Sequence, residues 1–177
     1  SRIVTPPVSA AAAQHHQAHG VRLHLGDQVR EIRGSQGAVT EVVTSSGAEI
    51  PADLVVVGVG MMACDDLARH AGLSCDRGVL VDNQLRTADP RIFAIGDCAV
   101  ICDHTGARHR LESVQSATDQ ARYVAAQIMG AATGPYSAVP WFWSTQGSLK
   151  LQMVGRSTQC TDTVVRGGES RFFVFCF

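Results

Sequence analysis

Apolar residues are spaced along this chain in short periodic runs, joined by turns rich in glycine and serine. Pro6-Pro7 excludes a helix before it, and Ser9 suits the N-cap of an alanine-rich helix running to His19, with Gly20 as its stop. Val21-Arg22-Leu23-His24-Leu25 alternates apolar with polar, the period of a strand. Alternation resumes over 29–33, turns at Gly34-Ser35-Gln36-Gly37, continues over 38–44 and turns again at Ser45-Ser46-Gly47. Ile50 then leads into Ala52-Asp53-Leu54-Val55-Val56-Val57-Gly58. That run is apolar on both faces, which predicts a fully buried parallel strand.

Further along, 64–71 predicts a short helix closed by Gly72, and 79–82 and 85–87 predict short strands. After the turn Ala88-Asp89-Pro90, Ile92-Phe93-Ala94-Ile95 reads as a second buried strand ending at Gly96-Asp97, and 98–110 reads as a loop. The longest helix is predicted over 112–129, burying Val114, Ala117, Ala121, Val124, Ala125 and Ile128, with Gly130 as its stop. Thr133-Gly134-Pro135 marks a boundary, and strands follow over 149–154, 163–166 and 171–177. The last of these is an apolar run with no partner after it, so the sequence is expected to be incomplete at this end.

Composition narrows the classes. Of 177 residues, 45% are hydrophobic and 18% charged, which fits a folded globular chain rather than a disordered one. The net charge is −1 and no basic stripe appears, so nucleic acid is not an expected partner. The longest apolar run, 54–64, has 11 residues, too few to span a bilayer, so no membrane partner is expected. Six scattered cysteines without a C-x-x-C pair predict reduced, packing cysteines in a cytoplasmic protein. Neither a nucleophile elbow nor a P-loop is present.

Four stretches could carry chemistry. In Leu54-Val55-Val56-Val57-Gly58-Val59-Gly60 a buried strand would run into glycines, where open α/β sheets bind ligands; the alternative is a tight turn. In Ile92-Phe93-Ala94-Ile95-Gly96-Asp97 the glycine leaves room and the aspartate offers an acceptor to a ribityl or ribose hydroxyl, or else caps a turn. Arg110-Leu111-Glu112-Ser113-Val114 opens the long helix, whose free N–H groups could face an electron-rich ring; Glu112 could equally serve only the helix dipole. In Pro140-Trp141-Phe142-Trp143-Ser144 the rings could flank a flat cofactor or anchor one domain on another. Cys98, Cys102, His104 and His109 could ligate zinc, but their spacing matches no standard finger. His15, His16 and His19 read as surface residues of the first helix rather than a metal site.

In this order, the stretch 53–60, Arg86-Thr87 through Asp97, Leu111-Glu112-Ser113-Val114, Asp119-Gln120-Ala121-Arg122 and Val139-Pro140-Trp141-Phe142-Trp143-Ser144 resemble the FAD-dependent ferredoxin reductases of the rubredoxin, putidaredoxin and rhodocoxin reductase type. These belong to the pyridine nucleotide-disulfide oxidoreductase superfamily. The resemblance covers almost the whole chain. It implies an α/β fold: part of a two-dinucleotide-binding-domain, Rossmann-like flavoprotein, followed by the start of an α+β C-terminal interface domain. Residues 1–58 would be the latter part of the NAD(P)-binding domain, 59–133 the C-terminal half of the FAD-binding domain, and 134–177 the truncated interface domain.

The resemblance also implies electron transfer from NAD(P)H through FAD to a ferredoxin-type iron–sulfur protein serving an oxygenase or cytochrome P450. Asp97, preceded by Gly96, would bond the ribityl chain. Val114 would contact the flavin ring through its backbone, Glu112 would sit near the nicotinamide, Gly58 would line the NAD site, and Trp143 would lie beside the flavin. Four positions depart from the family pattern: Met61-Met62 where Pro-Asn is usual, Ser116 in place of Asn, and Thr145 in place of Asp. Family members are more than twice as long and carry two Gly-rich phosphate loops that this sequence lacks. This chain alone is therefore expected to bind FAD poorly. Two other readings remain open: a degenerate, non-catalytic binding or scaffolding protein, and a zinc module on 98–109.

Overall fold

The computed structural model describes residues 4–103, 105–131, 134–155, 160–168 and 171–177. They divide into two compact units, 1–60 and 61–177.

The first unit begins with helix α1, Pro6–Ala18. The expected Ser9 cap is corrected: Thr5 is the N-cap and the prolines fill the first turn. Proline suits that position because its fixed φ is helical and an N–H there would have no intrahelical partner. Strands β1 (Val29–Ser35), β2 (Ala38–Thr44) and β3 (Glu49–Pro51) form the expected antiparallel meander. Gln36 and Gly37 both have positive φ (53° and 82°), which matches the hairpin to the strand twist. On this sheet Arg33 reaches Glu31, Glu41 and Glu49 at 3.0, 2.7 and 3.0 Å.

Two expected strands do not form here. The stretch 21–25 is unpaired and leads into a turn. The apolar run after Pro51 is also unpaired, and Leu54, Val56 and Val59 are 80%, 87% and 91% exposed. A strand with two apolar faces is stable only between neighbours, and no described strand lies beside this one.

The second unit carries the larger core: Val79, Val81, Leu85, Ala94, Ala99 and Val124. Helix α2, Asp66–His70, is followed by Gly72 in the left-handed region (φ 77°). Strand β4 (Val79–Val81) pairs in parallel with β5 (Ala99–Cys102), which pairs antiparallel with β6 (Arg108–His109). The expected loop over 98–110 is thus partly sheet. Its turn is closed by the Asp103 carboxylate, which accepts from Thr105 N–H (2.9 Å), the Thr105 hydroxyl (2.6 Å) and Ala107 N–H (3.0 Å). The expected strands at 85–87 and 92–95 shrink to one bridge, Arg86 with Phe93, beside which the Arg86 guanidinium stands 5.5 Å from the ring centre.

Helix α3, Val114–Ile128, confirms the longest predicted helix but corrects its buried face. The buried residues are Ser116, Gln120 and Val124, one stripe at i, i+4, i+8, whereas Val114 and Ile128 are 68% and 67% exposed. Hairpins β7–β8 (Trp141–Gln146 with Leu149–Val154) and β9–β10 (Thr163–Gly167 with Phe172–Cys176) complete the unit.

The cysteine reading also needs correction: Cys160 and Cys176 form a disulfide, while Cys64, Cys75, Cys98 and Cys102 are free. Antiparallel register places Thr163 opposite Cys176. The chain entering β9 therefore passes the end of β10, with the two Cα atoms 5.3 Å apart, within bridging range.

Candidate functional site

A hollow of about 420 Å³ opens in the second unit, lined by Asp97, Glu112, Ser113, Val114, Ala117 and Phe142. Three elements make its walls, and side-chain amides of α3 hold two of them. Gly96 begins a short 3-10 turn, Gly96–Cys98, with φ of 69°, which favours glycine. Its buried N–H donates to Gln120 Oε1 (2.7 Å), and Gln120 Nε2 donates to Ser116 Oγ (2.8 Å). This is why polar residues occupy the buried stripe of α3. They satisfy one another and a loop amide that would otherwise be stranded.

Asp97 then follows at the edge of the hollow, half-buried, and its carboxylate has no hydrogen-bond partner among the described residues. Opposite, Ser113 caps α3 by accepting Ser116 N–H at 3.1 Å. The N–H groups of Val114 and Gln115 have no acceptor among the described residues, so the positive end of the helix faces this space. Glu112 pairs with Arg110 at 2.5 Å, and Arg110 also donates to the carbonyl of Arg77 at 2.6 Å, which fixes the carboxylate at the rim.

The third wall is β7. Successive side chains of a strand point to opposite faces. Phe142 accordingly lines the hollow, while Trp141 and Trp143 share a face and stack with centroids 4.9 Å apart at 27°. Gln115 ties this strand to α3: its Oε1 accepts Trp141 N–H (2.8 Å), and its Nε2 donates to Asp119 Oδ2 (2.6 Å) and the Val139 carbonyl (3.3 Å).

Of the residues singled out from sequence, Asp97, Glu112 and Val114 come together at the hollow, and Gly96 sets the turn that carries Asp97. Trp143 is on β7 but is not a lining residue, and it is 43% exposed. Gly58 belongs to the other unit; it is exposed, its φ is not positive, and nothing stands within 4 Å of where its Cβ would be. The sequence marks Phe142 only as one ring of the aromatic run that could flank a cofactor, and it assigns no structural role to Gln115, Ser116 or Gln120. The available signal was Ser116 and Gln120 lying four residues apart in line with Val124.

Among the described residues the zinc constellation is not assembled. Cys98 and Cys102 direct their thiols at the carbonyls of Ile95 and Val100, and His109 pairs with Asp103 at 2.8 Å. His104 lies outside the described residues, and among the described residues no three metal-ligating side chains cluster.

Comparison with known proteins decides the family. The family model described as pyridine nucleotide-disulphide oxidoreductase matches residues 1–121. The chain belongs to that family. A second model, reductase C-terminal, matches 141–177. The chain is 43% identical over its whole length to rhodocoxin reductase of Rhodococcus erythropolis and 40% identical over 98% of its length to putidaredoxin reductase of Pseudomonas putida. It spans 42% of the length of each of these relatives.

Two solved structures match closely. The ferredoxin reductase for the CYP199A2 system from Rhodopseudomonas palustris superimposes with a TM-score of 0.95 at 46% identity, covering 99% of this chain and 44% of that one. The covalent putidaredoxin reductase–putidaredoxin complex gives 0.91 at 38% identity, covering 99% and 43%. The fold of this family member is therefore the α/β, FAD- and NAD-binding fold of pyridine nucleotide-disulphide oxidoreductases, followed by reductase C-terminal sequence.

Proposed function

We propose that this chain is part of a flavoprotein reductase that passes electrons from NAD(P)H through FAD to a ferredoxin-type iron–sulfur protein serving an oxygenase or cytochrome P450. The hollow at the start of α3 carries this reading. It offers an unpartnered carboxylate at Asp97 and two unpartnered N–H donors at Val114 and Gln115, with Phe142 as an apolar wall. An acceptor for hydroxyls beside donors for an electron-rich ring fits the ribityl chain and ring of a flavin. Bound there, FAD would supply the exchange between two-electron hydride chemistry and single-electron transfer.

The chain's own residues bind and orient. In this reading Asp97 accepts from a ribityl hydroxyl, the Val114 N–H faces the ring, and Glu112, held by Arg110, stands toward the nicotinamide. Trp143 lies on the strand whose neighbour Phe142 touches the site. Gly58 would admit a nicotinamide dinucleotide to the backbone, since nothing in its own surroundings requires glycine. The domain bounds 1–58, 59–133 and 134–177 belong to the same proposal. So does a cytoplasmic location, supported by four free cysteines; the Cys160–Cys176 bond pulls the other way.

The test uses the complete protein encoded at this locus. Purified with FAD, it should lose its flavin absorption band on anaerobic addition of NADH or NADPH, then reduce a small iron–sulfur protein. No bleaching by either nucleotide sinks the reductase reading. The scaffolding alternative is removed by a purified complete protein that carries flavin.

A further inference from the structure

We infer that Gln115 is a positioning residue: its side-chain amide clamps β7 to the first turn of α3 and so sets the gap between Phe142 and the Asp97–Val114 side of the hollow. The inference rests on the flavin reading of that hollow.

Among the described residues strand β7 has one strand partner, β8, so its other edge is open to side chains. Trp141 lies opposite Val154 in the ladder, and the neighbouring ladder bond runs from Gly155 N–H to the Pro140 carbonyl (2.8 Å). The hydrogen bonds of an antiparallel pair alternate along each strand, so the Trp141 N–H points away from β8. That free donor meets Gln115 Oε1 at 2.8 Å, and Gln115 Nε2 takes the Val139 carbonyl two residues earlier at 3.3 Å. One amide thus grips the strand at a donor and an acceptor, which fixes its height along α3 as well as its distance.

Asp119, one turn further on the helix, accepts from the same Nε2 at 2.6 Å and fixes which end of the amide faces which partner. Gln115 follows Val114, and Phe142 follows Trp141, so both ends of the clamp adjoin lining residues of the hollow. The clamp also joins the part of the chain matched by the nucleotide-binding family model to the part matched by the reductase C-terminal model. A shift of the β7–β8 hairpin moves Phe142 directly, and this side chain ties that shift to the start of α3.

The test compares the complete protein encoded at this locus with its Gln115→Ala, Gln115→Glu and double Gln115→Glu/Asp119→Asn variants. Glutamate keeps an acceptor for Trp141 but turns its second oxygen on two acceptors, Asp119 and Val139. Asparagine at 119 restores a donor, with the polarity of that hydrogen bond reversed. Amide hydrogen exchange read by NMR should quicken about tenfold at Trp141 in Gln115→Ala, with the amides of β8 unchanged. Gln115→Glu should share that defect, and the double variant should recover part of the wild-type rate, since only the Asp119 contact is restored and the Val139 carbonyl stays without a donor.

FAD titrated into the flavin-stripped complete protein, followed by absorbance, should show weaker binding in the two single variants and partial recovery in the double. A wild-type exchange rate at Trp141 in Gln115→Ala overturns the clamp. A uniform rise across α3, β7 and β8 overturns it too, because it marks a merely structural residue. A defect that the double variant repairs in no part does the same. Normal flavin affinity in Gln115→Ala overturns the positioning role. No flavin binding by any form overturns the flavin reading and the role of the gap, while the exchange data still decide the clamp.

Discussion

Gln120 shows how much one buried side chain can organise. Only 1% exposed, it holds the Gly96 N–H and the Ser116 hydroxyl with the two ends of one amide. Gln120→Leu removes both and leaves the Gly96 N–H buried without a partner, so a loss of about 1–3 kcal/mol is expected, read as a lower urea midpoint. An unchanged midpoint would show that the turn does not depend on that bond. Asp65 is one contributor to acid sensitivity, beside Asp27 and Asp103. It is 8% exposed and accepts from Arg69 Nε (2.8 Å) and Gly78 N–H (3.1 Å). The Arg69 hydrogen bonds lower its pKa below the ordinary 3.8, against the opposing effect of burial. A depressed carboxyl contributes fully above 3.8, progressively less below it, and nothing under its folded value. Thermal melts across that range should fall with pH in the wild type and less steeply in Asp65→Asn.

At the level of elements, close approach and cross-linking decide more than periodicity does. Gly78 has φ of 141°, and a Cβ there would stand 2.6 Å from the Cys98 carbonyl oxygen. Since that oxygen belongs to backbone just before β5, it cannot swing away. Gly78→Ala should therefore cost roughly 2 kcal/mol or more, seen as a depressed melting temperature, and an unaltered one would mean that β4 and β5 can separate freely. The β9–β10 hairpin is closed by a disulfide across 16 residues, a loop length for which about 3 kcal/mol of chain-entropy stabilisation is typical. Reduction should speed amide exchange in β9 and β10 and leave β7–β8 unaffected; equal protection in both redox states would show the bond to be dispensable.

Across the whole molecule, each of the two units carries apolar residues that stand exposed among the described residues. Leu54, Val56, Val57 and Val59 stand exposed in the first unit, and Phe173, Phe175 and Phe177 in the second. Exposed runs of this kind seek contacts. Light scattering should therefore reveal concentration-dependent association, reduced in Val56→Lys/Val59→Lys; equal association in the variant would locate the contact elsewhere. The same run explains a failed sequence expectation. Its composition is that of a doubly buried parallel strand, but burial needs neighbours, and the chain spans 42% of the length of relatives such as rhodocoxin reductase.

What the sequence by itself determined is whatever depends on near neighbours: the meander with its Gln36-Gly37 turn, the span of α3, the glycine stops, and the ordered motifs that mark the family. Hydrogen bonds between adjacent residues and local backbone preferences set these, and both are visible at short range. The tertiary structure decided which face of α3 is buried, that Phe142 rather than Trp143 lines the hollow, and that Cys160 meets Cys176. Each of those depends on residues far apart in the chain meeting in space. A buried amide such as Gln115 or Gln120 is polar in composition, and only its distant partners, Trp141 and Gly96, reveal why it is there.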